Sequence, residues 1–348
     1  MKICVYTIAL NEEQHVDRWF NSVADADYLI VGDTGSTDNT VENLNALGVT
    51  VYDLTIKPFR FDDARNAVLS LIPSDADVCV SLDMDEFMSP GWRNEIEKNW
   101  VPGATRLNYH YVFDFKPDQV NSWFWSDKIH SRFGYRWKRP VHETVFPQGI
   151  TEVLVTTDKL SINQIQDRTK TTRSNYLPLL KQSHEENPND SQTLFWYARE
   201  LFNNNLPSAD EFIKYLDLPT SNWSEERSEA MRMLSKISDT YKWLMKALLE
   251  TDSRREIWLD LAEYFYLKQQ WVDCAWAAEN GLNKSKKTGT YLDFDHAWGS
   301  QLNDFASIAY YNLENYSLSK KHCLAALSIN PSDERLKNNL KFIEDRMK

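Results

Sequence analysis

The chain has 348 residues, 51 acidic against 39 basic side chains, a net charge of −12 and 42% hydrophobic content. That length and apolar content supply cores for two ordinary globular domains. The acidic excess disfavours an extended nucleic-acid surface, because polyphosphate would be repelled. The four cysteines, Cys4, Cys79, Cys274 and Cys323, form no C-x-x-C pair, which argues against secretion and against structural zinc. Cys4 and Cys79 lie in apolar runs and read as small buried hydrophobes. No run of about 18 apolar residues occurs, so no membrane span is expected. The apolar stretch Ile3 to Leu10 breaks at Asn11-Glu12-Glu13 and carries no small-residue cleavage site, so a cytoplasmic protein is expected.

From residue 1 to about 155, short β-rich runs alternate with helical patterns. Lys2 to Ile8 reads as a strand, Gln14 to Ser22 as a helix, Tyr28 to Val31 as a strand and Asp38 to Leu47 as a helix. Thr50 to Leu54, a helix through Ala64 to Leu71, and Val78 to Leu82 continue the alternation. Strands separated by single helices imply βαβ crossovers and a mostly parallel sheet. Ligands of such sheets collect at the carboxyl ends of the strands, here the loops after Ile8, Val31 and Leu82.

The acidic exit Asp83-Met84-Asp85-Glu86 follows the half-buried run Asp77 to Leu82. In an extended chain Asp83 and Asp85 share one face while Met84 points the other way. Two acids so spaced can bind one hard divalent cation, and that cation can neutralise a diphosphate. In Gly32-Asp33-Thr34-Gly35-Ser36-Thr37-Asp38, Gly35 supplies a turn, Ser36 or Thr37 caps the next helix, and Asp38 sits near its positive end. Asp33 is needed by neither turn nor cap on this reading, so it is assigned to a ligand, as acceptor from a base N–H or ribose hydroxyl.

Four motifs now stand in order: Thr7-Ile8-Ala9-Leu10-Asn11-Glu12-Glu13, Val31 to Asp38, Ala64-Arg65-Asn66, and Leu82-Asp83-Met84-Asp85-Glu86. Together they resemble the GT-A domain of family 2 inverting glycosyltransferases, with the last as its DXD motif. The resemblance implies a Rossmann-like GT-A domain over 1–160 and a hexosyltransferase activity. It also implies a UDP-sugar donor and a Mn²⁺ or Mg²⁺ ion held through Asp85, with Asp83 toward the ribose or the metal. Thr7, Glu12 and Asp33 would line the nucleotide, and Arg65 would face its polar groups. One departure is Asp33-Thr34, where many members have two adjacent acids. Arg65 also suits a phosphate or base carbonyl by its fixed fork; a salt bridge to Asp62 or Asp63 is the bland reading.

The cluster Arg136-Trp137-Lys138-Arg139-Pro140-Val141-His142-Glu143 closes this half. His142 is the expected third metal ligand beside Asp83 and Asp85, and a satisfied core histidine is its bland alternative. Glu143 is the expected general base, with Asp114, Asp118 and Asp127 as rivals, because on a strand neighbours of a metal-facing His point away. Arg132, Arg136, Lys138 and Arg139 could offset diphosphate charge or form a solvated face. Tyr109, Tyr111, Phe113 and Phe115 alternate as one packed strand face. Trp123 and Trp125 share a face and could stack on a sugar. The loop Lys116 to Ser122 is expected to close over the donor.

Residues 161–348 lose the strand signal and turn helical. Trp258, Leu261, Ala262, Phe265, Cys274 and Gly281 fall at tetratricopeptide spacings, and Ser307, Tyr310, Ser319, Ala326 and Pro331 repeat the frame. The frames lie roughly 45 residues apart where 34 is the rule, with Lys284 to His296 as an insertion, and a weaker unit surrounds Trp196, Ala198 and Leu201. A TPR-like helical-repeat domain is expected, a plain helical bundle being the alternative. It would recruit a peptide, protein or glycan acceptor, or form a homodimer. A non-catalytic scaffold with a degenerate sugar-nucleotide domain is the competing function. A sugar-1-phosphate nucleotidyltransferase is disfavoured because Ala9 to Glu13 holds no glycine, and a P-loop enzyme because no G-x-x-x-x-G-K-[ST] occurs.

Overall fold

A computed structural model describes residues 1–117, 121–165 and 176–348. It divides into two compact units, Met1–Asn187 and Pro188–Lys348. The division falls after Asn187 rather than at 160, because the last long strand of the sheet crosses that position.

The first unit opens with β1 (Ile3–Ala9), α1 (Val16–Val23), β2 (Tyr28–Asp33), α2 (Thr40–Ala46), β3 (Thr50–Asp53), α3 (Phe61–Leu71) and β4 (Val78–Ser81). It continues with β5 (Glu86–Met88), α4 (Trp92–Asn99), β6 (Arg106–Val112), β7 (Trp123–Ser131), β8 (Tyr135–Lys138), β9 (Thr144–Pro147), β10 (Leu154–Gln164) and α5 (Tyr176–Glu186). Eight strands form one sheet in the order β3-β2-β1-β4-β7-β6-β10-β5, and β8 pairs with β9 alone. β3, β2, β1 and β4 are parallel neighbours, and β6 and β10 run the same way; β7 and β5 are reversed. This is the expected GT-A arrangement.

The alternation of β1 explains why both faces are covered. Ile3 and Val5 enter one core with Trp19 of α1, Val80 and Leu107, while Cys4 and Tyr6 enter a second with Val68 of α3, Cys79 and Trp137. In α1, Val16, Trp19 and Val23 are the buried stripe at helical spacing. All four cysteines are free and buried.

The second unit is all helix. Its pairs are α6 (Ser191–Asn203) with α7 (Ala209–Asp217), α8 (Ser224–Ser238) with α9 (Lys242–Glu250), α10 (Arg255–Leu267) with α11 (Trp271–Lys284), and α12 (Gln301–Asn312) with α13 (Tyr316–Ile329), closed by α14 (Glu334–Arg346). The pattern found from Trp258 to Gly281 is the α10–α11 pair. A Cβ on Gly281 would come within 2.7 Å of Trp258 Cβ, which is why the frame needs a minimal residue there. The expected insertion is a segment between α11 and α12 that carries one 3₁₀ turn, Asp295–Trp298.

Candidate active site

The carboxyl ends of β1, β2 and β4 lie side by side, and their loops are tied together. Asn11 N–H donates to Ser36 Oγ at 2.9 Å, Thr37 N–H to Asn11 Oδ1 at 2.7 Å, and Glu12 N–H to Thr40 Oγ1 at 2.7 Å. Asp38 accepts from Thr40 N–H at 3.0 Å and Glu13 N–H at 3.2 Å, fixing the entry to α2. Burial opposes the Asp38 charge, and the donors from Thr40 and Glu13 outweigh it and lower its pKa.

Asp33 departs from expectation. Its carboxylate accepts from the N–H groups of Gly35 and Ser36, both at 3.0 Å, and from Ser36 Oγ at 2.5 Å. The turn therefore does use Asp33, in an Asx-type arrangement that holds Gly35 at φ 109°.

Beyond β4 the chain leaves the sheet: Asp83 to Asp85 form a turn between β4 and β5 rather than an extended exit. The expected alternation survives, with Met84 buried and both aspartates partly open. Glu86 braces the turn from beneath. It is 1% exposed, accepts the Asp83 N–H at 2.9 Å and the Tyr111 hydroxyl at 2.8 Å, and lies 3.5 Å from Lys128 Nζ. Burial raises its pKa, Lys128 works against this, and the nearby Asp83 and Asp85 charges add to it.

Asp83 is gripped by two cations. Arg65 Nη1 lies 2.8 Å from Oδ1 and Lys128 Nζ 3.4 Å from Oδ2. Burial opposes the carboxylate, but Arg65 and then Lys128 prevail and hold it well below the usual range. Thr7 Oγ1 is 3.5 Å from Asp83 Oδ1. Burial likewise opposes the charge of Lys128, and Glu86 and Asp83 overcome it, so the ammonium stays protonated.

Arg65, on α3, is the hub. It does not pair with Asp62 or Asp63, which Arg60 takes at 3.0 and 3.5 Å. Instead its Nε donates to Glu143 Oε1 at 2.6 Å, its Nη1 donates to Ser81 Oγ at 3.3 Å, and its guanidinium lies 4.9 Å from the Trp137 ring. Asn66 sets the geometry: it accepts the Trp137 N–H and donates to the Trp137 carbonyl, both at 2.9 Å, and so pins β8 to α3.

His142 and Glu143 sit in the loop between β8 and β9, and His142 has φ 50°. The strand-alternation argument for them therefore does not apply. His142 meets the Tyr176 ring at 5.7 Å. Among the described residues no three His, Cys, Asp or Glu side chains converge as a metal cluster. Asp83 is occupied by Arg65 and Lys128. Asp85 keeps an accessible carboxylate that accepts Gln164 Nε2 at 2.8 Å, while its carbonyl accepts from Arg18 Nη2 at 3.1 Å. Glu12 lies 3.8 Å from His15.

Of the rival carboxylates, Asp127 belongs elsewhere: it faces Arg106 at 3.4 Å while its neighbour Lys128 faces the site. Asp118, and with it the centre of the 116–122 loop, lies outside the described residues. Asp114 follows β6 at φ 57°, at the same end of the sheet as Asp83. Arg132 is structural, donating to the carbonyls of Ile72 and Pro73. Lys138 and Arg139 lie over Phe146. Tyr109 and Tyr111 pack in the core as expected, whereas Phe113 is exposed because β6 ends at Val112. Trp123 stacks on His110 at 3.5 Å.

Residues 4–141 match the family model described as glycosyl transferase family 2. The N-terminal domain is a family 2 glycosyltransferase domain. Its match runs from β1 through the Arg65–Asp83 hub to the β8–β9 loop. A search of curated proteins finds no match. Among solved structures, a thermophilic TPR protein of Thermus thermophilus is 16% identical over 48% of this chain and 88% of its own, with a TM-score of 0.31. Glucosyl-3-phosphoglycerate synthase of Mycobacterium tuberculosis, in complex with phosphoglyceric acid, is 25% identical over 32% of this chain and 44% of its own, with a TM-score of 0.28. The same synthase in complex with Mn²⁺, UDP and glucosyl-3-phosphoglycerate has a TM-score of 0.27 at the same identity and coverage. The matched region is under half of the synthase chain. Among the described residues no helix is long and apolar enough to cross a membrane.

Proposed function

We propose that this glycosyltransferase moves a sugar with inversion from a nucleotide-diphosphate donor, a UDP-sugar, to a nucleophile on a peptide, protein or glycan. The observation that carries the reading is the ionic hub Glu143–Arg65–Asp83–Lys128–Glu86 beside Asp85 at the carboxyl ends of the parallel strands. An array of fixed charges with little reorganisation left is what a charged donor requires.

A divalent cation, Mn²⁺ or Mg²⁺, suits Asp85, whose hard oxygen is partly open and supported by Gln164. His142 is the second protein ligand on this reading. When bound, such a cation supplies positive charge to the departing diphosphate. Asp83 suits the ribose instead, since Arg65 and Lys128 already fix its carboxylate as an acceptor. Thr7 and Glu12 line the nucleotide with it, and Asp33 contributes by ordering the 33–36 turn that forms the wall. Glu143 orients Arg65, and on this reading Asp114, just past the carboxyl end of β6, accepts the proton from the nucleophile.

The test is hydrolysis and transfer from a panel of UDP-sugars with and without Mn²⁺. Asp85→Ala is expected to abolish turnover and the Mn²⁺-dependent rise in melting temperature with UDP, while the metal-free melting temperature holds. Turnover that ignores both Mn²⁺ and Asp85→Ala would refute the reading.

A further inference from the structure

Pairing of β6 with β7 sets His110 opposite Trp125 and Val112 opposite Trp123. His110, Trp123 and Trp125 therefore share the face of the sheet turned away from Tyr109 and Tyr111, which fill the core. The His110 ring stacks on Trp123 at 3.5 Å and tilts against Trp125 at 4.6 Å. Burial lowers its pKa against the opposing pull of Asp158, so this aromatic group is uncharged. Trp123 is exposed and Trp125 half-buried. Among the described residues neither indole joins a hydrophobic core of the domain, so packing does not account for two such large rings here.

Beside Trp125 the sheet opens. β10 pairs with β6 from Leu154 to Thr156 and again from Ser161, and residues 157–160 leave the ladder between them. β5 pairs with β10 only from Ile162 onward, so it does not cover this excursion. Leu160 anchors it in the core, while Asp158 and Lys159 are exposed. The excursion, the end of α4 and Trp125 enclose a cleft of about 470 Å³, a volume typical of small-molecule sites. Its rim carries Glu95 and Lys98 from α4 and Asp158 and Lys159 from β10, with Asn99 and Thr156 between them. Two acids against two bases leave no net charge to draw an ion. Yet the charges do not simply satisfy one another: among the described residues Lys98, Asp158 and Lys159 are in no ion pair. Glu95 uses only Oε2, which accepts from Asn99 Nδ2 at 3.3 Å and Thr157 Oγ1 at 3.4 Å. Carboxylates, ammonium groups and an amide around one indole suit a neutral ligand with hydroxyls on its rim and a C–H face to lay on the ring. A sugar ring has that alternation.

We propose that this cleft binds a neutral oligosaccharide, one ring lying on Trp125 with its hydroxyls on Asp158, Lys159 and Glu95. Trp123 extends the aromatic strip toward the carboxyl end of β6. The cleft is separate from the donor site, because Gln164, at the other end of β10, is the residue of that strand that meets Asp85. Resting on the glycosyltransferase reading above, the cleft holds the arm of a glycan acceptor away from the unit that reacts.

The test is saturation-transfer difference NMR on the full chain, without donor or Mn²⁺, titrated with cellohexaose, maltohexaose, chitohexaose and mannohexaose. At least one of them is expected to bind. Trp125→Ala is expected to weaken that binding about tenfold and Trp125→Phe, which keeps a flat ring, to retain most of it. Asp158→Ala, at an exposed position, is expected to weaken it about fivefold. Circular dichroism checks the fold of each variant, and should Trp125→Ala not fold, Asp158→Ala decides. Asp85→Ala and saturating UDP with Mn²⁺ are expected to leave binding unchanged, so a chain without transferase activity still passes and the two readings fail separately. The proposal is overturned if none of the four sugars binds, if binding survives the Trp125→Ala and Asp158→Ala substitutions, or if UDP with Mn²⁺ displaces the sugar.

Discussion

Acidification should unfold the catalytic domain through one buried imidazole. His130 of β7 is fully inaccessible. Its Nδ1 lies 2.9 Å from the Ser131 carbonyl, which can only accept, so Nδ1 carries the proton. Its Nε2, 2.9 Å from the Tyr6 hydroxyl, must then accept, and the Tyr6 oxygen in turn accepts Trp137 Nε1–H at 2.8 Å. A second proton on the ring would turn Nε2 into a donor and leave the Tyr6 O–H without the acceptor it now uses. Burial is the main reason the pKa falls from 6.5 to about 4; the Ser131 bond opposes this, and Arg106 and Arg132 add to it. Because the folded pKa lies below the unfolded one, the native state binds fewer protons between them. Stability is therefore whole above about pH 6.5 and declines as pH falls toward 4. At 1.36 kcal/mol per unit, His130 should remove about 2 kcal/mol between pH 7 and pH 5. Urea unfolding followed by tryptophan fluorescence at the two pH values measures this, with His130→Gln removing the titration. The parent should lose about 2 kcal/mol more than the variant over that interval. Equal losses would refute the reasoning.

Lys128→Met leaves Glu86 and Asp83 facing each other without their shared cation, so urea unfolding should show a loss of about 3 kcal/mol, and Glu86→Gln in the same chain should recover part of it. Arg65→Lys keeps the charge but cannot reach Asp83 and Glu143 at once; kcat/KM for the sugar donor should fall about thirtyfold, or about 2 kcal/mol, in steady-state assays. Gly281→Ala gains helix propensity yet places a methyl 2.9 Å from Leu302 Cδ1 and against Trp258, so thermal melting should register a net loss of about 1–2 kcal/mol.

What could be read from the sequence was what repeats locally. The alternation of β1 between two cores, the stripe of α1 and the small residue at Gly281 each leave a periodic trace, and the sheet order follows from short crossovers. The acidic turn was visible too, because three carboxylates in four positions have few cheap explanations. What stayed hidden was set by long-range pairing. Lys128 looks like one charge in an aromatic stretch until antiparallel pairing of β7 with β4 brings it to Asp83. Glu143 reads as a free carboxylate until Asn66 pins Trp137 to α3 and sets Arg65 between the two acids. The part Asp33 plays in the turn was missed for the opposite reason, since two of its three partners are main-chain N–H groups two and three residues on, which side-chain identities do not reveal. Both kinds of error concern where a charge finds its partner. In a low-dielectric crevice an unpartnered charge is too costly to persist. Each site carboxylate must therefore be interpreted through the donors that the fold brings to it, and Asp85, backed by one neutral amide, is the acid of this cluster best able to accept a cation from outside.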